Sequence, residues 1–143
     1  MFQLNFFGKK QYSKVREEVQ SRGIKRTILL PSIPANGRLQ FNKDNPKLKG
    51  ISKYGYGAWN MFNFMNTDVV AFKIELDFAE TKTYFIPTNS SISVDEITYN
   101  EFNIYNLDTA AASNNEKAYI VVAYEPPLLR ERRKKKLLGG ILI

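Results

Sequence analysis

Between Val70 and Asp77 large apolar side chains alternate with small or charged ones. Val70, Phe72, Ile74 and Leu76 stand against Ala71, Lys73, Glu75 and Asp77. A period of two is the pattern of a strand with one face on a core and one in water. Here the wet face is expected to carry Lys73, Glu75 and Asp77. The same texture recurs downstream. Thr83–Ile86 is a short strand closed by Pro87 and the turn Thr88-Asn89-Ser90. Ser91–Asp95 turns Ile92 and Val94 inward, Tyr99–Leu107 does so with Phe102 and Ile104, and Ala118–Tyr124 with Ile120 and Val122. Upstream, Ile24–Ile33 is β-branched and aliphatic before Pro31, Pro34 and Asn36-Gly37 interrupt it. From Trp59 onward the chain reads as strands with short turns, about seven strands in all with no long helix between them, which excludes a doubly wound α/β sheet. The expected fold is mainly β: an antiparallel β-sandwich or jelly roll. Its core is expected to hold Phe72, Ile74, Leu76, Phe85, Phe102, Ile104, Ile120 and Val122.

Three divisions follow from composition. Residues 1–23 form an N-terminal arm, 24–127 the β domain and 128–143 a C-terminal tail. Within the first, Tyr12, Val15 and Val19 lie on one stripe of a short helix over residues 9–22, which ends near Gly23. MFQLNFFG ahead of it carries three Phe in seven residues, an apolar plug in need of a partner surface. The apolar run is too short for a secretory signal.

Charge follows the same divisions. The 143 residues carry +7 in total. Residues 1–53 hold 12 basic and 3 acidic side chains, 54–127 hold 3 and 10, and 128–143 hold 6 and 1. An acidic centre between basic arms suits a molecule whose arms reach an acidic neighbour, nucleic acid or an anionic surface.

The sequence has neither Cys nor His. Thiolate chemistry, disulfides, and zinc or iron–sulfur sites built on those residues are thereby excluded, as is the usual general base near neutral pH. Carboxylates remain, with Glu75, Asp77 and Glu80 close in sequence, but nothing marks a cleft around them. No Asp-x-Asp-x-Asp-Gly loop accompanies them, and Gly55 and Gly57 lack the spacing of a phosphate-binding loop. No catalytic residue, metal site or cofactor is expected, and the chain reads as a non-enzyme.

Two segments point to binding. KLKGISKYGYGAW interleaves Lys47, Lys49 and Lys53 with Tyr54, Tyr56 and Trp59, a composition that could neutralise phosphate and stack bases. RERRKKKLLGGILI places Arg130, Arg132, Arg133, Lys134, Lys135 and Lys136 ahead of Leu137, Leu138, Ile141 and Leu142. Such a tail can dock on the acidic residues Asp77, Glu80, Asp95 and Glu96 of another copy and lodge its apolar end in a groove or at a sheet edge. A polybasic run beside an apolar end also suits an anionic membrane surface.

The stretch KTYFIPTNSSISVDEITYNEFNIYNLDTA, about a fifth of the chain, resembles the sheet-turn-sheet of small β-sandwich capsid or decoration proteins of bacterial viruses. That resemblance implies a homo-oligomeric virion component, made in the host cytoplasm and held among copies of itself and other virion proteins. The alternative from the residues alone is a nucleic-acid-binding protein using the basic arms and the Tyr/Trp-rich loop.

Overall fold

The alternation at Val70–Asp77 becomes a strand from Phe72 to Leu76, with Phe72, Ile74 and Leu76 all but inaccessible to solvent. The computed structural model describes residues 23–49 and 58–126, together with Leu129 and Glu131. The expected N-terminal plug and helix, and nearly all of the C-terminal tail, lie outside the described residues. Among the described residues eight strands run in chain order: β1 (Ile24–Leu29), β2 (Arg38–Phe41), β3 (Met61–Asn66), β4 (Phe72–Leu76), β5 (Thr83–Ile86), β6 (Ser90–Val94), β7 (Phe102–Asn106) and β8 (Ala118–Tyr124). Single 3-10 turns occupy Pro46–Leu48 and Glu80–Lys82.

The strands form two four-stranded antiparallel sheets, ordered β1-β8-β3-β6 and β2-β7-β4-β5. Their inner faces meet in a single core, so the molecule is a β-sandwich. Aromatic rings bridge the layers. Phe62 on β3 meets Tyr84 on β5 edge-on at 5.5 Å, and Phe64 meets Phe72 on β4 at 5.7 Å. Offset and edge-on pairs of this kind add about 0.5–1.5 kcal/mol beyond their burial.

The expected inward residues Phe102, Ile104, Ile120 and Val122 are buried. Phe85 is not: it faces outward from β5 and is 64% exposed. The sequence TYFI offers apolar atoms on both faces, and the ring of Tyr84 takes the core position beside Phe62. Strand β2 went unforeseen because RLQF is short and carries only two apolar residues.

Glu75 corrects a second expectation. It lies on the outer face of β4 as its period demands, yet it is buried. On neighbouring β7, Asn103 Nδ2 donates to Glu75 Oε1 at 3.3 Å, and the Tyr105 hydroxyl donates to the same oxygen at 3.4 Å. Asp77 does not share that face. It leaves the strand in a left-handed turn with Phe78, at φ 52° and 56°. For a Phe this region is sterically unfavourable.

Candidate assembly surface

The antiparallel register brings both chain ends to one end of the sandwich. Ile24 opens β1 directly opposite Tyr124, which closes β8. Gly23, at φ 77°, turns the chain there. A Cβ at Gly23 would collide with the Tyr124 carbonyl oxygen, so the position requires glycine twice over. After Tyr124, the Asn60 side chain pairs with Glu125 as a strand would: Nδ2 donates to the Glu125 carbonyl at 2.7 Å, and the Glu125 N–H donates to Oδ1 at 2.8 Å. Both arms therefore start from anchored backbone.

The acidic residues expected to receive a basic tail lie at this same end, in the β4–β5 turn and the β6–β7 connection. Glu80, Asp95 and Glu96 are exposed. Asp77 is already engaged. Its Oδ1 accepts from the Asn100 N–H at 2.8 Å, and its Oδ2 pairs with Lys82 Nζ at 3.1 Å. Asp77 thus ties the two connections together, which limits what it can offer a neighbour.

Lys47 and Lys49 are exposed and sit beside the first strand, where Arg26 Nε donates to the Lys49 carbonyl at 3.3 Å. Trp59, expected to stack bases, is completely buried. Its backbone bridges Tyr99 through bonds of 2.9 and 3.0 Å, which puts the indole in the core. It cannot stack on a ligand without unfolding that end. Lys53, Tyr54 and Tyr56 lie outside the described residues, as do Arg130, Arg132, Arg133, Lys134, Lys135, Lys136, Leu137, Leu138, Ile141 and Leu142.

Buried Tyr99 donates its hydroxyl to the Met61 carbonyl at 2.7 Å. Burial raises its pKa well above the usual phenol value, with a further push from the charge of Asp77.

The opposite end is closed by side-chain amides that composition did not reveal. Asn66 and Asn106, buried at the ends of β3 and β7, each accept at Oδ1 from the N–H two residues on, that of Asp68 and of Asp108, both at 2.9 Å. Their Nδ2 groups donate to loop carbonyls: Val70 and Pro87 for Asn66, Ile33 and Ala111 for Asn106. Asp68 accepts from the backbone and side-chain nitrogens of Asn114 at 2.7 and 2.9 Å and from the Val69 N–H at 2.7 Å. Burial opposes its charge, but these bonds outweigh it and hold the carboxyl below the ordinary value. Asn-x-Asp occurs at 66–68 and 106–108, and also at 42–44, where Asn42 Oδ1 accepts from the Asp44 N–H at 3.1 Å on an exposed loop. This end satisfies itself and leaves little for a ligand.

The two outer faces differ. On the β2-β7-β4-β5 sheet, Arg38, Tyr105, Lys73 and Phe85 stand in one row, with Lys73 Nζ 4.4 Å from the Tyr105 ring centroid. The next row is Gln40, Asn103, Glu75 and Thr83, where Asn103 Oδ1 is buried without a hydrogen-bond partner. On the β1-β8-β3-β6 sheet the rows read Lys25, Ala123 and Met61; then Thr27, Val121, Asn63 and Ser93; then Leu29, Tyr119, Met65 and Ser91.

Among the described residues no group of three or more carboxylates is gathered as a metal site would need, and no helix is long and apolar enough to cross a membrane. No family model, curated protein or solved structure matches this chain.

Proposed function

We propose that this chain is a non-catalytic virion structural protein, a jelly roll that joins copies of itself through its two arms. The observation that carries the reading is the pairing of strands: β1 with β8, β2 with β7, β3 with β6 and β4 with β5. This is the order obtained when one long hairpin is rolled into two sheets, the double Greek key common in viral shells and also found in lectins and cupins. Fold alone does not give function. Two further features favour the viral member of that set. There is no His, the commonest metal ligand and the usual general base near neutral pH. Both arms also start from the end of the body that carries Glu80, Asp95 and Glu96.

In this reading the basic run 130–136 meets that acidic end on a neighbour, and Leu137, Leu138, Ile141 and Leu142 lodge in apolar surface. Each exposed ion pair contributes only about 0–1 kcal/mol, so the apolar end carries most of the docking energy. The test combines light scattering with the absorbance ratio of the purified full chain. Replacing Leu137, Leu138, Ile141 and Leu142 with Ser is expected to reduce oligomer mass more than replacing four of the basic residues with Gln. A monomeric wild-type protein would overturn the reading.

A second reading, nucleic-acid binding, has one observation in its favour. Lys47 and Lys49 are exposed beside Arg26. Co-purifying nucleic acid, a dominant effect of the Gln replacements and a steep loss of binding with salt would select it.

A further inference from the structure

We infer that the outer face of the β2-β7-β4-β5 sheet holds a binding site for a neutral saccharide, centred on Glu75 and Asn103 with Phe85 beside them. This goes beyond the assembly reading and does not depend on it.

Two acceptors at this place lack donors. Asn103 is 3% exposed, and its Oδ1 is buried without a hydrogen-bond partner. Its Nδ2 is turned toward Glu75 Oε1 and the Tyr105 hydroxyl, at 3.3 and 3.5 Å. Gln40, its register neighbour on edge strand β2, is exposed and does not bond that oxygen. Glu75 is 8% exposed, and both of its bonds fall on Oε1, at 3.3 and 3.4 Å. Among the described residues nothing donates to Glu75 Oε2, and no cation pairs with the carboxylate. A buried acceptor left without a donor is costly, and more so when it is charged. The missing partner is therefore a hydrogen-bond donor.

Charge narrows its class. Arg38 and Lys73 stand in the adjoining row, on either side of Tyr105. A cation would meet two like charges there for one opposite, and an anion would be repelled by Glu75, the very group it must approach. A neutral donor remains. Arg38, Lys73 and Gln40 are themselves donors and call for acceptors. A hydroxyl serves both needs at one oxygen, donating to Asn103 or Glu75 while accepting from its neighbours. A sugar presents several such hydroxyls on one small, rigid frame.

Phe85 supplies the apolar part. It is 64% exposed on edge strand β5, paired with Lys73 and diagonal to Glu75. Diagonal neighbours across a ladder lie about 7–8 Å apart, a span that one or two sugar rings cover. Small-ligand sites combine an aromatic surface with a few placed polar groups, and the C–H face of a sugar ring packs on such a surface. Lys73 Nζ already lies 4.4 Å from the Tyr105 ring centroid, which leaves Phe85 as the open ring of the row. The orphaned amide oxygen and the exposed phenylalanine thus have one explanation.

The experiment is saturation-transfer NMR on the full chain. Glucose, galactose, mannose, N-acetylglucosamine and maltose are the probes, with glucuronic acid and glucosamine as charged controls. Wild type is compared with Glu75→Gln, Phe85→Ala and, on the other sheet, Leu29→Ala, after far-UV circular dichroism has checked that each is folded. Glu75→Gln keeps the shape but presents an NH2 where a hydroxyl must donate. The expected result is binding of at least one neutral probe, weakened at least tenfold by Glu75→Gln and by Phe85→Ala and within twofold of wild type for Leu29→Ala. Phe85→Ala, at an exposed site, keeps the test open should Glu75→Gln fail to fold. A wild type that binds no neutral probe would overturn the inference, and ordered water alone at Asn103 gives that result. Binding that both variants leave unchanged would overturn it too. Tighter binding of either charged control than of every neutral probe would overturn the assignment to a neutral ligand. None of these outcomes involves oligomer mass, so the assembly reading stands or falls separately.

Discussion

Asp68 is the side chain on which the loop-bearing end of the sandwich most depends. Three donors converge on a carboxylate that is 2% exposed, and they are donors that an amide could not fully satisfy. In Asp68→Asn the new NH2 group would face either the Asn114 backbone N–H or, turned over, the Asn114 side-chain nitrogen and the Val69 N–H. Loss of one such charge-assisted bond costs about 1–3 kcal/mol. The sign with pH follows from the lowered pKa. The carboxylate contributes its stability above the ordinary Asp value of about 3.9 and loses it as pH falls through the lower folded value. Denaturant titrations are therefore expected to show wild type ahead of Asp68→Asn at pH 7, with the gap narrowing below about pH 4. A gap of the same size at both pH values would mean that shape, and not charge, holds the loops. Asn66 and Asn106 act at the same end without charge, Asn66 serving three backbone groups and Asn106 four. Burying an amide at the end of a strand contradicts a hydropathy reading, and the Asn-x-Asp spacing marks the turn but not the burial, since the same spacing at 42–44 lies exposed.

Among the strands, β4 and β5 show what alternation can and cannot reveal. In β4 each inward residue is apolar and each outward one charged, so the face was legible at once. In β5 Tyr84 and Phe85 compete for the core, and hydropathy cannot rank two aromatic neighbours. The decision falls to Phe62, which leaves room for the ring of Tyr84. Truncation should expose the difference. Ile104→Ala removes buried methyl groups from the central strand β7 and is expected to cost about 2–5 kcal/mol in chemical unfolding. Phe85→Ala, at a site open to solvent on an edge strand, is expected to cost less than about 1 kcal/mol. If the two costs were equal, Phe85 would have to be buried by something the isolated body lacks. Glu75 teaches the complementary point: a period of two names the face, not whether long neighbours such as Tyr105 close over it. Trp59 shows why a basic-aromatic run is weak evidence for base stacking. Lysines keep to the surface for their charge, while an indole bounded by strand residues is more stable inside, and only the tertiary bridge to Tyr99 distinguishes the two fates. The arm residues fall outside the described residues, so their proposed docking is left to the oligomer measurements.

On the scale of the whole molecule, the pairing of the first strand with the last has a consequence in time. Ile24 lies opposite Tyr124, and β8 also separates β1 from β3. Contacts so distant along the chain close slowly, because loop entropy must be overcome before they contribute. On a ribosome adding about 5–20 residues per second, β1 waits roughly 5–20 s for its neighbour. Until then both β1 and β3 present an unpaired edge on the side that β8 will fill. Nascent chains stalled before Ala118 are accordingly expected to be cut by protease throughout, whereas chains stalled with β8 outside the exit tunnel should yield a resistant body. A resistant body in the shorter chain would contradict this pairing order. The basic-apolar tail is translated after β8. A ribosome that drops its chain early therefore releases a molecule lacking both the strand that completes the fold and the peptide that would join a neighbour. Under the proposed role, a chain released early can neither complete its body nor dock on a neighbour, so the order of translation alone keeps it out of the assembly.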